Sequence, residues 1–207
     1  MNVKKGNIFI RVGLLLIAAA FFITAYNILD GVWAGRKSDL ALELLRRGIE
    51  TASADSINHM TSDGIPLYEK YPEMDMPLVE IDGKLYVGIL EIPALDIELP
   101  VIGEFSYRGL RRAPCRYDGS VYLNNMIIAA HNYNSHFGRL KNLNVGDKVS
   151  FTDGDGNMFL YTVAEIIQVD GSDIEGMKEG VWDMTLFTCT LNGQGRIAVR
   201  LIKTEEK

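Results

Sequence analysis

The sequence predicts a mostly β domain with short helices, either a closed barrel or a sandwich, preceded by an N-terminal transmembrane helix. An uncharged apolar stretch from Val12 to Leu29 lies near the N-terminus. From Leu85 onwards, about seven short segments rich in β-branched and apolar residues are each bounded by turn residues. Few helical signals interrupt them, which favours a barrel or a sandwich over alternating β and α units.

The composition fits one domain with an appendage. The 207 residues are 47% hydrophobic and 23% charged, which is ordinary for a globular protein. The net charge of −6 argues against a nucleic-acid-binding protein, because such proteins usually carry a basic surface. The two cysteines and three histidines show none of the spacings typical of zinc ligands, so we expect no metal site.

The apolar stretch from Val12 to Leu29 is about as long as a helix that crosses a bilayer, roughly 20 residues. Lys4, Lys5 and Arg11 precede it and favour a cytoplasmic N-terminus. A cleaved signal peptide usually has a shorter apolar core followed by small residues, whereas Ala18 to Ala20 lie inside this stretch. The pattern therefore favours an uncleaved anchor.

These features predict a single-pass protein of the cell membrane, with its C-terminal domain outside the cell. The expected organisation is a cytoplasmic N-terminus at residues 1–11, a transmembrane anchor at 12–29, a juxtamembrane helix and stalk at 30–80, and the β domain at 81–207. The juxtamembrane helix is predicted at Ser38–Ile49, with Ser38 as its N-cap. Ser, Asp, Gly and Pro residues between residue 51 and residue 80 favour the stalk.

The strands of the β domain are predicted from short apolar and β-branched segments. They are Tyr86–Ile92, Glu98–Ile102, Asn125–Ala130, Lys148–Thr152, Met158–Ile167, Met184–Cys189 and Arg196–Ile202. Asp153 to Asn157 joins two of these strands and opens like a calcium-binding EF-hand loop. Its sixth position is Met158 and its twelfth is Ala164, so we expect a polar hairpin loop and no calcium site.

Cys189 and His131 each follow a predicted strand, which is a rigid place from which to present a reactive side chain. A thiol is a strong nucleophile only as its thiolate, so it needs a basic or positive neighbour. His131 follows an apolar strand and begins a polar segment, and is a candidate for that neighbour. Two other interpretations remain open: a buried cysteine that acts as a small hydrophobe, and an ordinary loop histidine of the kind expected at His59 and His136.

Arg196 opens the last predicted strand. If that strand pairs with the one ending at Cys189, the two residues face each other near the mouth of a hairpin. Arginine cannot act as a base near neutral pH, but its fixed donors can hold a carbonyl oxygen and its developing oxyanion. Arg200 lies on the same face of the strand, deeper along it. The residue types alone do not separate the two arginines.

The segment Thr185-Leu-Phe-Thr-Cys189, followed by Arg196 at the start of a strand, resembles the TLxTC signature and downstream arginine of sortases, cysteine transpeptidases of Gram-positive bacteria. His131, before a polar loop that ends in Phe137-Gly-Arg-Leu140, is similar to the histidine region of that family. Further similar segments are Ile92-Pro93, Leu99–Ile102 and Val145–Asp147. The resemblance runs from about Tyr86 to Ile202 and implies a closed sortase-type β-barrel.

Some features depart from common sortase patterns and leave the subclass undecided. Ala130 stands where many relatives have Gly, and the spacing from Cys189 to Arg196 is short. No Asp-Pro-aromatic lid is present, and the connection between Ile167 and Thr185 is too short for the helical insertion of class B enzymes.

The resemblance implies a reaction at Cys189, His131 and Arg196. Cys189 attacks a carbonyl in the C-terminal sorting signal of a secreted protein and forms a thioester, while His131 handles the proton of the departing and incoming amines. Arg196, together with Thr188, binds the signal and stabilises the oxyanion. The acceptor is an amine of a cell-wall precursor or a pilin subunit, and no metal or organic cofactor is implied.

Two other functions remain open: a hydrolytic cysteine peptidase on the same scaffold, and a non-catalytic β domain tethered to the membrane. Cys115 is expected to be a structural thiol, in preference to a disulfide with Cys189 that would switch the enzyme off.

Overall fold

A computed structural model describes residues 3–54, 64–171, 182–190 and 193–204, with only the backbone described for 3–8 and 53–54. The chain divides into two compact units, Met1–Trp33 and Ala34–Lys207. His59, most of the connection between Ile167 and Thr185, and Asn192 in the turn before Arg196 lie outside the described residues.

The described part of the first unit is helical. It belongs to α1, Val3–Ala54, whose most apolar window has a mean hydropathy of 2.2. Large side chains such as Phe21 and Phe22 are about three-quarters exposed, at 74% and 78%. By length and composition α1 can cross a membrane. The direction in which it crosses stays a prediction.

In the second unit, α1 continues without a break through Ser38, so the predicted N-cap at this residue is wrong. The Ser38 side chain is buried, and its hydroxyl has no hydrogen-bond partner among the described residues. Ala34, Ser38, Ala41, Leu45 and Ile49 form one buried face at three- and four-residue spacings. Packing of this face outweighs the local tendency of a serine to begin a helix.

Nine strands form one sheet that closes into a barrel. They are β1 Val79–Ile81, β2 Lys84–Ile92, β3 Ile97–Ile102, β4 Cys115–Asp118, β5 Met126–Ala129, β6 Lys148–Asp153, β7 Met158–Asp170, β8 Met184–Cys189 and β9 Gly195–Lys203. Their order is β1-β2-β3-β4-β5-β8-β9-β7-β6, and β6 pairs back to β2. Eight strands therefore close the barrel, with β1 added beside the start of β2. The predicted closed barrel is confirmed.

Short helices accompany the barrel, as expected. They are α2 Leu67–Lys70 and α3 Tyr107–Leu110, with 3-10 turns at Pro93–Leu95 and Leu140–Asn142. In the segment before the barrel, Tyr68, Met74 and Met76 pack into or against the inner core, whereas the division into anchor, stalk and β domain stays a prediction. Met76 is 4% exposed, and the ring of Tyr68 stacks on that of Tyr122 with 4.9 Å between their centroids.

Two hydrophobic clusters lie on opposite faces of the sheet. The inner cluster fills the barrel and includes Met126, Ile128, Met184 and Leu186. The outer cluster lies between the sheet and α1 and includes Ala41, Leu45, Ile127, Ala129 and Phe187. Successive residues of β5 and β8 thus alternate between the two clusters, as the pleat of a strand requires. Because of this alternation, the residues two positions after Ala129 and Phe187 are expected on the outer face of the sheet.

The loop between β6 and β7 is organised by a buried carboxylate. Asp153 is fully buried and accepts hydrogen bonds from the backbone amides of Asp155 and Asn157, both at 2.9 Å. It also accepts from the Asn157 side-chain amide at 2.9 Å and from the Tyr122 hydroxyl at 2.7 Å. These four hydrogen bonds satisfy the buried carboxylate. No cluster of three or more possible metal-ligating side chains occurs among the described residues.

Candidate active site

The ends of β5 and β8 bring His131 and Cys189 to corresponding positions. The two strands are parallel, and their register runs from Met126 opposite Met184 to Ala129 opposite Phe187. The next amide continues the ladder, because Ala130 N donates to Phe187 O at 3.1 Å. Continuing the same register by two residues places His131 beside Cys189. Alternation places both on the outer face, together with Ala129 and Phe187.

The β8–β9 hairpin brings Arg196 to the same place. Cys189 and Arg196 are direct partners in the antiparallel register, and Thr190 N donates to Gly195 O at 2.8 Å just beyond them. Side chains of directly opposed residues lie on one face of a sheet and close together. His131, which is far from the other two in sequence, therefore converges with Cys189 and Arg196 at one end of the barrel.

The guanidinium of Arg196 is held in a defined plane. Its Nε and Nη2 atoms both donate to the carbonyl oxygen of Gly171, at 3.0 and 2.8 Å. The same group lies over the ring of Phe187, 5.4 Å from the ring centroid, in a cation–π contact. A rigid fork of donors fixed in this way is suited to binding a carbonyl oxygen.

The structure separates the two arginines that the residue types alone left equivalent. Arg200 is opposite Thr185 in the register and is only 2% exposed. Its Nη1 atom donates to the Thr185 hydroxyl at 2.9 Å. A substrate cannot reach a guanidinium in this position, so Arg196 is the arginine available at the site.

Thr188 faces the interior and is 3% exposed. Its hydroxyl donates to the carbonyl of Ala130 at 2.8 Å, which ties the end of β8 to the end of β5. Its contact with substrate stays a prediction.

The two thiols have different environments, and both are free. Cys189 is exposed and lines a cavity of about 400 Å³ together with Thr188, Ile197 and Lys141. Cys115 is fully buried in the outer cluster, and burial raises the pKa of its thiol to about 11. Because the thiolate is the reactive form, Cys115 is inert at neutral pH. Its role as a structural thiol stays a prediction.

The loop after His131 folds back on itself. Phe137 N donates to His131 O at 3.2 Å, and the carbonyl of Tyr133 accepts from the amides of His136 and Gly138, both at 2.9 Å. A Cβ atom at Gly138 would lie 2.4 Å from the carbonyl oxygen of residue 132, so only glycine fits there. This tight turn fixes the backbone that carries His131.

Two aromatic side chains beside His131 were not singled out from the sequence as part of the site. The ring centroid of Tyr133 is 5.0 Å from that of His131 and 5.6 Å from that of His136. His136 is fully buried, and neither ring nitrogen has a hydrogen-bond partner among the described residues. Burial, with a smaller effect of His131, lowers the pKa of His136 to about 4. The expected ordinary loop histidine is therefore a buried, neutral one.

A model of the sortase domain family matches residues 90–204, which is more than half of the chain and includes all three converging residues. The chain belongs to the sortase family. Sortases are cysteine transpeptidases, so family membership also gives the general class of enzyme.

Solved sortase structures share the fold of this sortase. A sortase D5 transpeptidase of Clostridium perfringens matches with a TM-score of 0.56 and 17% identity, over 82% of this chain and 99% of that one. Sortase C1 of Streptococcus agalactiae matches with a TM-score of 0.54 and 22% identity, over 80% and 90% of the two chains. Sortase C of Streptococcus pneumoniae matches with a TM-score of 0.53 and 23% identity, over 78% and 89%. A search of curated proteins found no significant match.

Proposed function

We propose that this sortase cleaves the C-terminal sorting signal of secreted proteins and transfers the acyl group to an amine of a cell-wall precursor or a pilin subunit. The observation that carries this proposal is the convergence of Cys189, His131 and Arg196 from three strand ends. The exposed thiol of Cys189, set against a fully buried Cys115, supports Cys189 as the nucleophile.

In the first half-reaction, the Cys189 thiolate attacks the carbonyl carbon of the scissile amide. The tetrahedral intermediate carries a negative oxygen, and the donors of Arg196 stabilise it. The C–N bond then breaks while the imidazolium of His131 donates its proton to the departing amine. A thioester on Cys189 and a neutral His131 remain.

In the second half-reaction, the incoming amine attacks the thioester and neutral His131 takes its proton. The C–S bond breaks, a new amide forms, and the thiolate of Cys189 and the imidazolium of His131 are restored. No atom changes its oxidation state, so this scheme needs no redox cofactor. Thr188 supports the site by holding Ala130, the residue before His131.

The proposed location is the cell membrane, with α1 as a single-pass anchor and the barrel outside the cell. The apolar, exposed first part of α1 supports the anchor. The basic residues before residue 12 support the orientation.

The test uses the full chain in neutral detergent with a library of sorting-signal peptides and an amine, and mass spectrometry identifies cleaved and ligated products. We expect ligated products from the wild type and from Cys115→Ala, and none from Cys189→Ala. The variant His131→Ala should lose on the order of 10²- to 10⁴-fold in rate, as removal of a general acid–base does. Arg196→Ala should be severely impaired.

Full ligation by Cys189→Ala would disprove the proposal. Hydrolysed products alone, with the amine present in excess, would instead identify a cysteine peptidase. Absence of any Cys189-dependent product with every peptide would favour a non-catalytic domain.

A further inference from the structure

A cationic cavity of about 460 Å³ lies on the second unit, away from Cys189. Its charged lining consists of Lys37, Lys84, Arg108, Arg111 and Arg112, with Asp82 as the one carboxylate. These residues come from α1, from β2 and from α3 and the turn after it. Such a concentration of positive charge stands out on a chain whose net charge is −6.

The positive charge in this cavity is largely uncompensated. Asp82 belongs to the two-residue turn between β1 and β2 and pairs with Arg112 at 3.3 Å. The other four cations take part in no ion pair among the described residues. Holding like charges together in one concavity costs free energy, and an anion bound there removes that cost.

An apolar cavity of about 280 Å³ adjoins the cationic one and shares Lys37, Asp82 and Arg112 with it. Its apolar wall includes Leu40 and Leu44 of α1, which are 62% and 42% exposed. The combined site therefore offers an anion-binding region next to an apolar surface. A soluble phosphate would use only the first of these, whereas an amphiphile uses both.

We propose that the two cavities together bind one anionic phospholipid of the membrane. The phosphate group lies among the arginines, and the upper part of an acyl chain packs on Leu40 and Leu44. This site is independent of the transpeptidation chemistry and gives the catalytic domain a second attachment to the bilayer besides its anchor.

Two further observations select a membrane lipid as the ligand. Lys37 follows Leu29, the end of the apolar stretch, by eight residues, so even a fully extended chain keeps it within about 28 Å of that end. Tyr107, next to Arg108, is 79% exposed. Exposed tyrosine beside basic residues is typical of surfaces that contact the headgroup region of a membrane.

The test measures lipid binding to the full chain in neutral detergent by native mass spectrometry. Phosphatidylglycerol and phosphatidylcholine are titrated separately, and we expect the anionic lipid to bind at least about tenfold more tightly. The double variant Arg108→Gln/Arg111→Gln should lose about tenfold in affinity for phosphatidylglycerol and little for phosphatidylcholine. A second variant, Lys37→Gln/Arg108→Gln, removes one cation from α1 and one from α3, and should lose affinity for phosphatidylglycerol in the same way.

The matched control Lys70→Gln/Lys148→Gln removes the same charge outside the cavity and should bind phosphatidylglycerol like the wild type. Leu40→Ser/Leu44→Ser should weaken phosphatidylglycerol binding without changing the affinity for soluble glycerol phosphate. Thermal melting confirms that each variant is folded. Equal affinity for the two lipids, unchanged binding by both charge variants, or binding of glycerol phosphate as tight as that of phosphatidylglycerol would each overturn the proposal.

Discussion

At the scale of single residues, burial decides which charges the site can carry. His136 is enclosed without a hydrogen-bond partner for its ring among the described residues, and its low pKa keeps it neutral at pH 7. A second positive imidazole here would disfavour the imidazolium of His131, because like charges repel. In our scheme His131 must carry a proton to release the first amine. The neutrality of His136 therefore favours the acid role of His131.

The buried His136 makes stability depend on pH. The unfolded chain binds a proton at this residue near pH 6.5, whereas the folded protein does so only near pH 4. Stability from this group is thus complete above about pH 6.5 and is lost as the pH falls towards 4. We expect the free energy of unfolding to drop by about 3 kcal/mol over this range, measured by urea denaturation. His136→Gln should lack this part of the pH dependence, and an identical dependence in the variant would contradict the prediction.

At the scale of secondary-structure elements, the site depends on how firmly β5 and β8 are joined at their ends. The hydroxyl of Thr188 and the amide of Ala130 add two hydrogen bonds beyond the last paired residues of the register. Both bonds involve Ala130, so they hold the backbone immediately before His131. Strand pairing therefore sets the position of His131 relative to Cys189. The conformation of the short loop after His131 depends instead on the hydrogen bonds within that loop.

Thr188→Val tests this control. The substitution leaves the buried carbonyl of Ala130 without the hydroxyl donor, so the free energy of unfolding should fall by about 1–3 kcal/mol. Ligation by the variant should also slow, because the residue before His131 loses a contact. Thr188→Ser keeps the hydroxyl and should retain most of both properties. Denaturation and peptide ligation assays measure the two effects, and equal behaviour of Val and Ser variants would contradict the expected role of the bond.

Sequence patterns predicted the strands whose own residues are apolar or β-branched and are bounded by turn residues. Seven strands were predicted in this way, whereas β1 is too short and β4, with Arg116 and Asp118, too polar to show a pattern. The signature around Cys189 singled out the residue that we propose as the nucleophile. The burial of His136 and the packing of Ser38 depend on contacts between distant segments, and no local pattern reports such contacts. For the same reason the residue types alone did not distinguish Arg196 from Arg200, and only the resemblance to sortases singled out Arg196.

At the scale of the whole molecule, the hydrophobic core lies in the second unit. Both the inner and the outer cluster are built from residues after Ala34, and α1 contributes Ala41, Leu45 and Ile49 to the outer one. The second part of α1 is thus a component of the catalytic domain's core as well as the continuation of the apolar helix. Ala129 and Phe187, which precede the site residues, lie in the same cluster.

This division predicts different results for two truncations. Residues 34–207 should fold and unfold in one cooperative transition, because every member of both clusters is retained. Residues 50–207 lack the three side chains that α1 contributes to the outer cluster, of which Leu45 alone should contribute about 2–5 kcal/mol. Circular dichroism and thermal melting compare the two fragments, and equal stability would show that α1 is dispensable for the core.

The position of β9 has a consequence for biogenesis. Although it is the last strand along the chain, it lies between β8 and β7, so the barrel wall stays open until residues 195–203 have emerged. A nascent chain that ends before this point carries the Cys189 thiol but neither Arg196 nor a finished wall behind it. In the proposed scheme such a chain lacks the arginine that stabilises the oxyanion, so we expect no transpeptidation before residue 203 has been synthesised.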